Sequence, residues 1–184
     1  MPTKPVPFDD AKAIAAAKNA RGFHEAARVV DESFQSMARV AGRESQSAGV
    51  MEQIVGQASA VAILDALALE LTLKVRLHRA GKPVPATHDH RKLFEKLTDT
   101  EKHDLERRYA ERRHLISRTN VVVTQSASGP GGMTSVQPPA SRLEEALSRS
   151  GSVFVTWRYM FEHPVAIAYT SEMMVAYDVL QEGL

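Results

Sequence analysis

Residues 66–97 read ALALELTLKVRLHRAGKPVPATHDHRKLFEKL. The apolar run continues from upstream, so Val50 to Arg79 predicts one long helix, which Gly81-Lys82-Pro83 stops. Glycine just past the last turn accepts the left-handed backbone that a helix end requires, and proline cannot continue the helix. A loop with Pro83 and Pro85 then leads to Thr87, placed to cap a short helix that carries Leu93, Phe94 and Leu97 on one face. The most apolar part, Ala58 to Val75, contains Asp65, Glu70 and Lys74. Three charges are too costly for a lipid-spanning helix of that length, so it reads as a buried core helix.

Outward from this centre the pattern stays helical. Upstream, Asp9 to Ala41 places Ala13, Ile14, Ala17, Phe23, Ala27, Val30, Phe34 and Met37 mostly three and four apart, with Gly22 as a candidate break. Residues 42–49, GRESQSAG, read as a polar turn. Downstream, Thr98 and Glu101 form a capping-box pattern that opens a helix from about Asp99 to Arg118. Between Thr119 and Ser141 the chain is rich in glycine, proline and serine, and a mobile loop with at most one short strand at Val121 to Val123 is expected near 119–140. Ser141 with Glu144 gives a second capping box, helical patterning runs on to Pro164, and a last helix spans roughly Val165 to Leu180. The expected fold class is all-α: a single domain over residues 1–184, built as an antiparallel helical bundle.

Composition narrows the function. A chain of 184 residues, 43% hydrophobic and 24% charged, can bury a core of its own. Net charge is only +1, so the whole-molecule field attracts neither nucleic acid nor an anionic membrane strongly, and any RNA binding must come from a local patch. The absence of cysteine removes disulfides, thiolate nucleophiles and thiolate metal sites. The start, MPTKPVPFDD, has prolines and acids where a signal peptide needs an apolar run, which predicts a cytoplasmic protein without a membrane segment. No Walker loop, Rossmann glycine fingerprint, HExxH helix or GxSxG elbow occurs, and no metal or other cofactor is expected.

The turn between the two helices carries a recognisable set of residues: Glu70, Leu71, Lys74, Gly81, Thr87, His88 and Asp89. This arrangement resembles the signature of the HEPN family of bacterial helical domains, Glu-Leu-x-x-Lys followed by a glycine turn and Thr-His-Asp-Leu. His90 stands where relatives generally carry leucine. Trp157-Arg158-Tyr159, with Glu162 downstream, looks like the segment found late in some HEPN-like proteins. The resemblance implies a bundle that commonly dimerises, with activities from RNA cleavage in toxin and defence systems to non-catalytic binding of nucleotides or proteins.

Active members of that family pair an arginine with a histidine, the two separated by four to six intervening residues. Arg158 with His163 lies where the family places its motif, and Arg107 or Arg108 with His114 is a second match. In the catalytic reading His163 takes the proton of a ribose 2′-hydroxyl and Arg158 neutralises the phosphorane, without metal. Against it, the arginines and 7 histidines would produce about two such spacings by chance. A five-residue step also rotates by about 140° on a helix, so the pair would converge only across a dimer interface. The structural reading makes Trp157 to Tyr159 a core anchor, with Arg158 paired to Glu70.

Arg107, Arg108 and Arg112, with His114, form a basic stripe suited to an RNA or nucleotide phosphate, although Glu106 and Glu111 are spaced to pair with them. Glu70, Lys74, His88 and Asp89 read as a structural polar network; His88-Asp89-His90 lacks the further ligands a metal site needs. An apolar surplus near the carboxyl end, including Trp157, Phe161, Tyr169, Met173, Val175 and Tyr177, predicts a homodimer. The favoured reading is an accessory component that binds RNA, a nucleotide or a cognate partner protein; a metal-independent endoribonuclease and a purely structural oligomerisation module are the alternatives.

Overall fold

The computed structural model describes residues 7–41, 48–116, 121–126, 129–133, 140–151, 153 and 165–184. Two long helices form its frame, α1 (Asp10–Ala41) and α2 (Ala48–Arg79). They run antiparallel, and polar pairs hold one register at three heights. His78 Nε2 lies 2.7 Å from Asp10, His24 Nδ1 lies 3.2 Å from Asp65, and Gln57 donates to Ser33 Oγ at 3.1 Å. Gly22 does not break α1, since a single glycine costs only about 1 kcal/mol in a helix this well supported. The inner face of α1 is largely alanine, with Ala13, Ala16, Ala20 and Ala27 buried, and Phe34 fills space near its far end.

Helix α2 is central. Val61, Ala62, Leu69, Leu73, Val75 and Leu77 are all buried, and they spread over more than half of its circumference, as expected of a helix covered on more than one side. Its end is a Schellman turn: Gly81 adopts φ 65°, the Gly81 amide donates to the His78 carbonyl, and the Lys82 amide donates to the Leu77 carbonyl. Among the described residues four shorter helices complete the core with it: α3 (His90–Glu95), α4 (Asp99–Arg112, continued by a 3-10 turn at Arg113–Leu115), α5 (Leu143–Ser150) and α6 (Thr170–Gln181). Leu93 and Phe94 of α3, Leu105 and Tyr109 of α4, Leu147 of α5 and Met173, Tyr177 and Leu180 of α6 join the leucines of α2 in one core.

Helix capping follows the expected sites with altered partners. Thr98 Oγ1 accepts from the Glu101 amide as the capping box requires, but the Glu101 carboxylate turns away to Arg76 at 2.8 Å. Asp89, rather than Thr87, caps α3 by accepting from the Lys92 amide at 3.1 Å. At α5 the Ser141–Glu144 box is replaced. Glu145 receives the Ser141 amide and hydroxyl, while Glu106 of α4 accepts the Leu143 and Glu144 amides at 2.8 and 3.0 Å.

The expected loop near 119–140 and the expected start of the last helix need correction. Strands β1 (Val121–Ser126), β2 (Gly129–Met133) and β3 (Val165–Ala168) form a small antiparallel sheet in the order β2-β1-β3. Val121 pairs with Ala168 and Thr124 with Val165; on the other side Val123 pairs with Met133 and Ser126 with Gly129, across an irregularity. The β-branched run Val121 to Val123 suits the central strand, and Pro130 sits on an edge strand, where its missing amide is tolerated. Helix is the dominant element, the sheet being an addition to the bundle.

Candidate functional site

The signature turn is a closed polar junction. Glu70 is buried on α2, and each of its carboxylate oxygens has a partner: Lys74 Nζ donates to Oε1 at 2.6 Å, and His88 Nδ1 lies 2.9 Å from Oε2. Asp89 faces the α3 backbone as its cap, and its amide donates to Thr87 Oγ1 at 3.1 Å. His90 points the other way, into the core, where Nδ1 lies 2.9 Å from Ser150 Oγ. Burial pulls the His90 imidazole down to about 4, so it is neutral near pH 7. The three consecutive side chains therefore diverge toward α2, the α3 backbone and α5. Among the described residues no group of three His, Cys, Asp or Glu could hold a metal ion.

The second constellation is the arginine face of α4. Arg107 is bridged to Asp104 at 2.7 Å and Glu111 at 2.6 Å. His114 Nδ1 lies 2.8 Å from the Glu111 carbonyl, so Arg107 and His114 meet through one residue. Arg108 reaches Asp104 at 2.7 Å and Glu182 at 3.2 Å, and Arg112 binds the other oxygen of Glu182. From α2, Arg76 donates to the Leu180 and Glu182 carbonyls at 2.5 and 2.6 Å, and Arg79 donates to the Gly183 carbonyl at 3.4 Å. Hydrogen bonds from Arg112, opposed by partial burial and supported by Arg108, hold the Glu182 carboxyl below its ordinary range. Sequence reasoning found Arg107, Arg108, Arg112 and His114 but not Arg76 or Glu182. Nothing local marks a partner 74 residues away.

Two further buried clusters lie outside both constellations. His24 on α1 is held between Asp65 on α2 and Asp178 on α6, at 3.2 and 3.6 Å, with the Tyr177 ring stacked on it at 4.1 Å. Burial outweighs the His24 hydrogen bond and pushes the Asp65 carboxyl up to about 6. Glu172, fully buried on α6, accepts from Arg149 and from the Ala140 amide, both at 3.0 Å.

Trp157, Arg158, Tyr159, Glu162 and His163 lie outside the described residues, and so do Phe154, Met160 and Phe161. Of the apolar surplus expected at a dimer interface, Tyr169, Met173, Val175 and Tyr177 are buried within the chain itself. Among the described residues no helix is long and apolar enough to cross a membrane. Compared with known proteins, the chain matches no family model, no curated protein and no solved structure.

Proposed function

We propose that this chain is an HEPN-like helical protein that binds the RNA backbone and serves as a non-catalytic accessory component of a bacterial stress or defence module. The observation that supports RNA over the other ligands is the pair Arg108 and Arg112. Two guanidinium groups one turn apart on a rigid helix clamp the two oxygens of a single carboxylate, and both are about a third exposed. The same fork suits a phosphate. Exposed Arg107 and His114, which meet through Glu111, carry the donors further along solvent. With a net charge of only +1, any attraction for RNA must be local, and these arginines, paired with Asp104, Glu111 and Glu182 in the free protein, supply the donors for it.

Fluorescence anisotropy with a labelled, structured RNA at several salt concentrations tests the proposal. Binding should weaken as salt rises, and the combined variant Arg107→Ala, Arg108→Ala, Arg112→Ala should lose affinity with a salt slope flatter by about two to three. A wild-type protein that binds no RNA at low salt sinks the reading. The same RNA incubated in EDTA should remain intact; cleavage that disappears in His163→Ala would replace the accessory role with the endoribonuclease reading.

A further inference from the structure

The residues that follow α6 do not leave the helix as a plain extension. Glu182 takes ψ 128°, Gly183 takes φ 79°, and the Leu184 amide returns to the Gln181 carbonyl at 3.1 Å. The positive φ is one that glycine adopts without strain. This turn directs Glu182 at α4. Helix α6 has no basic residue in its own last turn; Arg76 of α2 donates instead to the Leu180 carbonyl and to that of Glu182 just beyond the helix. Those contacts divide into two kinds. Arg76 is buried, bonds to backbone carbonyls and pairs with Glu101, so it anchors the base of the turn. Arg108 and Arg112 meet only the side chain of Glu182 in this turn, and all three side chains are 32–35% exposed. Exposed ion pairs contribute little to stability and exchange readily with other anions.

We infer that the clamp of Arg108 and Arg112 is a phosphate site that Glu182 fills in the free protein, and that a phosphate of the RNA backbone binds there by displacing this carboxylate. The inference rests on the RNA reading above and adds its regulation: the chain carries its own competitor for the site. Asp104 stays with Arg107 and Arg108 after displacement, so the clamp keeps one fixed acid beside it. Arg76 keeps the Leu180 and Glu182 carbonyls, so the exchange needs a side-chain rotation and leaves α6 docked.

Glu182→Gln removes the competing charge while retaining size. With the same labelled RNA at about 50 mM salt, it should bind about tenfold more tightly than wild type, with a salt slope steeper by about one. Adding Arg108→Ala and Arg112→Ala should cancel the gain. A second measurement needs no variant: the Glu182 carboxyl, followed by NMR, should titrate below the ordinary glutamate range in free protein and return to it when RNA is bound. If wild type binds RNA while Glu182→Gln binds no more tightly, or if Glu182 stays depressed in the complex, the displacement is wrong and the RNA reading stands. If no form binds RNA, the RNA reading falls and takes the displacement with it.

Discussion

His90 occupies a core position that the resemblance would give to leucine, and the structure shows how a polar ring is accommodated there. It is fully buried, opposite Ser150, whose hydroxyl donates onward to the Leu147 carbonyl at 3.0 Å. Its folded-state value of about 4 lies below the ordinary 6.5, so the folded protein favours the neutral ring. The resulting stability is fully present above pH 6.5 and is lost as pH falls toward 4. The loss over that window should be roughly 3 kcal/mol. Urea unfolding of wild type and His90→Leu at pH 7, 5.5 and 4.5 checks this: the variant should lose less stability on acidification. Parallel curves would show that His90 does not titrate with unfolding.

At the scale of elements, helix ends carry much of the local information. Gly81 at φ 65° has open space around a would-be Cβ, so Gly81→Ala is penalised by backbone strain alone, about 1 kcal/mol. Asp89→Ala should cost a similar amount, about 1 kcal/mol, by removing the α3 cap. Glu106→Ala is the informative third variant. It leaves α4 with one fewer surface acid but strips the Leu143 and Glu144 amides of their acceptor, and it should cost about 1–2 kcal/mol. Thermal melting of the three variants ranks them. A neutral Glu106→Ala would mean that water replaces this cap without loss.

For the whole molecule, the cluster of His24, Asp65 and Asp178 ties α1, α2 and α6 together. Asp65 behaves oppositely to His90. Its folded-state value of about 6 lies above the ordinary 3.8, so the stability it contributes is full below pH 3.8 and is lost as pH rises through about 6. Asp65→Asn should therefore match wild type near pH 4 and gain on it toward pH 7, by roughly 3 kcal/mol in denaturant unfolding. A variant that falls behind as pH rises would show that the ion pair with His24 outweighs desolvation. The two histidine and aspartate effects oppose each other across pH 4–6.5, so wild type alone would show a shallow dependence.

The helical scaffold was legible in the sequence because local signals suffice there: the glycine stop at Gly81, the cap at Thr98 and the apolar spacing from Asp9 to Ala41, whereas the α3 cap fell to Asp89 and not to Thr87. Residues 67–77 alternate leucine or valine with other types, a period that a strand would share; the length of the run settles it as helix. The short apolar run Val165 to Ala168 offers no such length, and only pairing with β1 made it a strand. At the candidate site, Arg107, Arg108, Arg112 and His114 were legible because they share one helix, as was the Glu70 junction, whose partners lie within 18 residues. The tertiary structure alone decided what each arginine faces. Glu182, Glu106 and Asp65 meet partners 37 to 74 residues away, and no periodicity encodes a contact that exists only after separate helices have packed around a shared core.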